Sequence, residues 1–104
     1  MGRRTDLFLA CLLSAALAAC AGPQAFQKGT DAAQQGDWDA AVRYYEEASR
    51  AEPGNKDYKI EYRRARFEAA KEHLKRGNRA LSEKAYDRAV EEFQTALQLE
   101  PTFS

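Results

Sequence analysis

Apolar and polar positions follow a helical period along most of this chain. Leu7 to Ala16 is an apolar run, and from Gln24 onward the spacing becomes amphipathic. Phe26, Gly29, Ala32 and Ala33 fall three and four apart, then Gln35-Gly36-Asp37 supplies a stop followed by an N-cap. Trp38, Ala41, Val42, Tyr45 and Ala48 lie on one face of a second helix. Pro53-Gly54-Asn55 ends it, because proline disfavours αR at the residue before it and Gly-Asn favours a turn. The pattern predicts an antiparallel hairpin of helices over Gln24–Gln35 and Asp37–Glu52. Beyond it, Ile60, Phe67, Ala70, Leu74, Gly77 and Leu81 make one seam, and Tyr58, Tyr62, Ala65 and Ala69 a neighbouring one. Between Lys56 and Leu81 only Gly77 interrupts helix formers, so one helix is expected from Asn55 to Leu81, about 39 Å long at 1.5 Å per residue. Its first half should project past the hairpin. A fourth helix is expected over Glu83–Leu99, making the fold all-α.

The apolar pattern is stated twice. Trp38 answers Tyr86, Asp39 Asp87, Ala41 Ala89, Val42 Val90, Tyr45 Phe93 and Ala48 Ala96; Gly29 answers Gly77 and Pro53 answers Pro101. Every pair is separated by the same step, the one that leads from Gly29 to Gly77. A shared offset across so many positions marks an internal repeat.

At 104 residues the chain holds one small domain, and its 16 basic and 16 acidic residues balance. No global field therefore draws it to nucleic acid or anionic lipid. Both cysteines, Cys11 and Cys20, precede the helical body, so neither a disulfide framework nor a CxxC pair is available there. Arg3 and Arg4 precede the Leu7–Ala16 run, which has the length of a signal-peptide core and is short of the roughly 20 apolar residues of a membrane span. Thr5-Asp6 departs from the twin-arginine export pattern.

Leu17-Ala18-Ala19-Cys20 resembles the bacterial lipoprotein signal. The resemblance implies a leader over 1–19, cleavage before Cys20, lipidation of its thiol and a short tether over 20–23. An ordinary secretory peptide with an incidental Cys20 is the alternative. Each acyl methylene adds about 0.8 kcal/mol of membrane affinity, so two or three chains hold firmly. Ala21, where an Asp would often signal inner-membrane retention, favours a periplasm-facing anchor in the outer membrane by the same resemblance.

Residues 24–101 resemble the tetratricopeptide repeat: glycine in the first helix, Gly-Asp-aromatic at the turn, then alanine, aromatic, alanine and a closing proline. The resemblance implies two repeats and four helices. Gly29, Ala41 and Ala48, with Gly77, Ala89 and Ala96, would take the close-contact positions. Trp38, Tyr45, Pro53, Tyr86, Phe93 and Pro101 would complete the packing. The family's unit is shorter, at about 34 residues. The excess in this chain is close to four helical turns, so it lengthens the third helix while keeping its buried face nearly in phase.

Repeats of this family bind extended peptides on the face formed by the first helices. Transferred here, that face offers Phe26, Thr30 and Ala33, then Lys71, Leu74, Asn78 and Leu81. Asn78 matches an asparagine of carboxylate-gripping members, whereas Leu74 stands where those carry lysine. The third helix is also basic, with Arg63, Arg64 and Arg66 among the nine cations of residues 56–79. That stretch is either a docking surface for acidic partners, anionic lipid head groups or cell-wall polymer, or a solvated face stitched by pairs such as Glu72–Arg76.

His73, the single histidine, falls where a bulky packing residue is usual and is read as structural. No nucleophile, paired-carboxylate, metal or phosphate-loop constellation stands out, so neither an enzyme nor a cofactor is expected. The expected function is a membrane-anchored, non-catalytic scaffold for protein partners. The whole arrangement resembles the N-terminal region of secretin-type or secretin-assisting envelope lipoproteins, which implies partners in secretion, pilus or outer-membrane assembly. Two repeats are few, and nothing after Pro101 covers Tyr86, Phe93 and Leu97. Either the sequence is a fragment of a longer lipoprotein, or the uncovered face is a partner or self-association site; residues 102–104 are read accordingly as a truncation point or a tail. The two repeats alone should be marginally stable.

Overall fold

A computed structural model describes residues 20–104. The leader expected over 1–19, with Cys11, lies outside the described residues. Among those described the chain is all-helical, without strands. Helix α1 covers 20–34, reaching four residues before the expected start and including the exposed Cys20. Helices α2 (Trp38–Ala51), α3 (Lys56–Ser82) and α4 (Tyr86–Leu99) follow, then a 3-10 turn over Pro101–Phe103.

The first turn is built by its residues. Gly36 adopts φ 77°, and the amides of Gly36 and Asp37 donate to Ala33 O and Ala32 O at 3.0 and 2.9 Å. This is the Schellman arrangement, in which a left-handed residue lets orphan carbonyls be satisfied. Asp37 Oδ1 then accepts from the Ala40 amide at 3.1 Å and caps α2. The amide of Asn55 closes a turn onto Glu52 O, and its own Oδ1 caps α3 by accepting from the Tyr58 amide at 3.2 Å.

The second turn has the same hydrogen bonds with poorer residues. Lys84 and Ala85 donate to Leu81 O and Ala80 O at 3.0 and 2.8 Å, so Lys84 occupies the left-handed place at φ 60°. Ala85, at the N-cap of α4, has no side chain to cap with.

Small residues bring the helices together. Ala41, Ala48, Ala65 and Ala70 are completely buried, and Ala69, Ala89 and Ala96 nearly so. A Cβ on Gly29 would lie 2.7 Å from Tyr45 Cδ1, and one on Gly77 would run into the ring of Phe93. The two glycines therefore let an aromatic lie flat on the facing helix in each hairpin. We call α1–α2 hairpin 1 and the second half of α3 with α4 hairpin 2.

The first half of α3 does not project past hairpin 1 as the sequence suggested. It lies over it: Phe26 stacks on Tyr58 with centroids 4.7 Å apart, and Ala65 joins the cluster of Ala32, Ala40, Ala41 and Tyr45. Burial also divides the expected seams differently. Tyr58, Ala65, Ala69, Ala70, His73, Gly77 and Ala80 are buried, while Ile60, Phe67, Leu74 and Leu81 are exposed at every seventh position. At close interhelical approach, alanine and glycine fit where leucine does not, so the larger side chains are displaced to the flank.

Candidate functional site

The best-defined polar cluster joins three helices. His73, buried on α3, places Nδ1 2.6 Å from Glu92 Oε2 on α4 and Nε2 2.9 Å from Asp39 Oδ1 on α2. Carboxylates only accept, so both ring nitrogens donate when both contacts are made, and the imidazole is then cationic. Burial pulls its pKa down, but hydrogen bonds to Glu92 and Asp39 and their charges outweigh this and raise it above 6.5. Arg76 Nη1 stands 3.9 Å from Asp39 on the solvent side. Through these contacts the imidazole ties α2, α3 and α4 together as a strut.

Beside the strut a groove of about 510 Å³ runs between α2 and α4 over α3, lined among others by Val42, Tyr62, Arg66 and Leu99. Arg66 closes its far end: Nε and Nη2 donate to Leu99 O and Gln98 O at 3.0 and 3.1 Å, satisfying the last carbonyls of α4. Among the described residues no group of three His, Cys, Asp or Glu side chains is placed to hold a metal ion.

The residues singled out for partner binding separate into two groups. Phe26 is half-buried between Tyr45 and Tyr58, and Thr30 donates to Phe26 O and bonds the Tyr45 hydroxyl at 3.1 Å. With Arg66 engaged on α4, these three side chains serve internal packing. Leu74, Asn78, Leu81, Arg63 and Arg64 are exposed and Lys71 is half-exposed, all on α3. The pairing expected between Glu72 and Arg76 is replaced: Glu72 takes Lys75 at 3.3 Å, and Arg76 turns toward Asp39.

The strut partners of His73 lie 34 and 19 residues away, beyond any local spacing rule. One signal was present. The position equivalent to His73 in hairpin 1 is Ala25, which is buried, and a histidine in such a slot demands polar partners.

Among the described residues no helix is long and apolar enough to cross a membrane. Compared with protein-family models, curated proteins and solved structures, the chain gives no match.

Proposed function

We propose that this chain is a lipid-anchored, non-catalytic scaffold of the tetratricopeptide type, facing the periplasm from the outer membrane and gathering protein partners in the bacterial envelope. The observation that carries the reading is the duplicated glycine–aromatic contact, Gly29 on Tyr45 and Gly77 on Phe93, set one repeat step apart. Helical hairpins stacked in this way form extended surfaces, and such surfaces serve binding. Cys20 supplies the anchor, being exposed and preceded by Leu17-Ala18-Ala19. Components of secretion, pilus or outer-membrane assembly are the partner class that the sequence resemblance implies.

The test has two arms. Cys20→Ser should move the protein from the membrane to the soluble periplasmic fraction, and unchanged partition refutes the anchor. Affinity capture of the tagged wild-type chain should retain a defined envelope protein when salt rises from about 0.1 to 0.5 M. Capture that collapses with salt and with Arg63/Arg64→Glu would instead favour binding of anionic lipid head groups or cell-wall polymer.

A further inference from the structure

One imidazole carries the hydrogen bonding between the two hairpins. Among the described residues, no side-chain hydrogen bond joins α2 to α3 or α4 except those of His73 Nε2 with Asp39, at 2.9 and 3.1 Å. On the other side of the ring, Nδ1 meets Glu92 of α4 at 2.6 Å. A carboxylate only accepts, so each contact needs an N–H from the ring, and a neutral imidazole has one to give. A single proton therefore decides whether α2 stays tied.

We propose that His73 is a proton-operated latch: with both ring nitrogens protonated it holds Asp39 and Glu92 together, and when the Nε2 proton passes to solvent it keeps Glu92 and releases Asp39. This goes beyond the scaffold reading and does not depend on it. The order of release follows from the surroundings of the two carboxylates. The Glu92 side chain is 22 % exposed, and His73 is its one ion-pair partner among the described residues. Removing its donor would strand a largely buried charge. The Asp39 side chain is 42 % exposed and has Arg76 at 3.9 Å to turn to. The remaining proton settles on Nδ1, because the hydrogen bond of one ring nitrogen selects the tautomer.

The other charged groups nearby are otherwise engaged or stand off the ring. Toward α2, Asp37 caps the helix, Glu46 is held by Arg50, and Arg43 lies one turn beyond Asp39 on the groove. On α3, Glu72 takes Lys75 and Arg66 takes the last carbonyls of α4. Beside Glu92, Arg88 is held by Glu83, and Arg79 lines the same pocket. Burial lowers the imidazole pKa, but the bonds and charges of Glu92 and Asp39 outweigh it and raise the value above 6.5. The latch is thus fully closed below pH 6.5 and opens as pH rises through the folded value.

Asp39 also stands between two hollows. It lines the groove of about 510 Å³ and a pocket of about 230 Å³ bounded by Gly36, Trp38 and Ala69. Its release joins one to the other, while Ala41 and Tyr45 stay packed on Ala65 and hold the rest of α2. The moving part is the turn before α2 with its first residues, Trp38 included.

The chain has one histidine and one tryptophan, so both events are read in the whole protein without added probes. Nitrogen-15 NMR from about pH 5 to about pH 9 should show both ring nitrogens protonated at the acid end and Nδ1 alone at the alkaline end. Over the same titration Trp38 emission should shift to longer wavelength and acrylamide should quench it more strongly, with far-ultraviolet circular dichroism unchanged. In Asp39→Asn the ring still titrates, but the amide can donate to the bare Nε2, so the Trp38 shift should vanish. Glu92→Gln provides a second variant: Asp39 becomes the sole anion, the proton stays on Nε2, and Trp38 should again stay still.

A ring that stays doubly protonated to pH 9, or that keeps Nε2–H in the wild type, overturns the latch. So does Trp38 emission that is flat while His73 titrates, which would make the strut static. A wild-type Trp38 shift persisting in either variant also overturns it, because the movement would then arise elsewhere.

Discussion

Replacing Lys84 with glycine and Ala85 with aspartate would give the second turn the chemistry of the first. Lys84 holds φ 60° where Gly36 holds φ 77°, in otherwise matching hydrogen-bonded turns. A side-chain-bearing residue in the left-handed region costs roughly 1–2 kcal/mol, which glycine avoids. An aspartate in place of Ala85 would cap α4 as Asp37 caps α2, contributing about 1 kcal/mol. The two positions are adjacent, so the gains need not add. A combined gain of roughly 2 kcal/mol would raise the melting midpoint of so small a domain by on the order of 10 °C. Urea and thermal denaturation followed by circular dichroism would measure it, with an unchanged denaturant slope showing that both chains expose the same surface on unfolding. Gly36→Ala is the converse experiment. A Cβ there meets nothing within 4 Å, so its cost of about 1 kcal/mol would come from backbone conformation alone. If Lys84→Gly fails to raise the midpoint, or Gly36→Ala leaves it unchanged, the turn argument is wrong.

The strut and the glycine contacts make their own predictions. His73 has a raised folded pKa, so its contribution is fully present below pH 6.5 and is lost as pH rises through the folded value. The wild-type midpoint should therefore fall across that window and His73→Gln should lack the slope; the same slope in both would show that other groups set it. Gly77→Ala should cost about 1–3 kcal/mol by driving its methyl into the Phe93 ring, and Phe93→Leu should recover part of that loss. A neutral Gly77→Ala would mean the helices can separate without penalty.

Helix number and boundaries were largely legible because punctuation and period agree. Gly36-Asp37 and Pro53-Gly54-Asn55 mark the ends of α1 and α2, and α3 proves continuous from Lys56 to Ser82. The lie of α3 was not legible. Its large apolar residues drew attention to the Ile60–Leu81 seam, yet Ala65, Ala69 and Ala70 take the interior because the neighbouring helices come too close for leucine. Periodicity identifies a face but does not rank it against a face of smaller residues. The strut was illegible for another reason: its three members meet only after the chain has folded back twice. Of the expected partner-binding residues, those on α3 other than Arg66 keep exposed or half-exposed side chains, while Phe26 and Thr30 are occupied within hairpin 1 and its cover.

The continuity of α3 has a mechanical consequence. Repeats joined by turns can flex at each joint, but here the cover of hairpin 1 and the first helix of hairpin 2 are one rod of 27 residues. Leu74 and Leu81 therefore sit roughly 24–35 Å along a single axis from Tyr58, which is pinned against Phe26 at the other end. A load applied to the open face reaches hairpin 1 as torque on a stiff lever, without loss in a joint. The additional turns of α3 act as a spacer of fixed length, and the placement of hairpin 2 is set by the part of the molecule that holds Phe26.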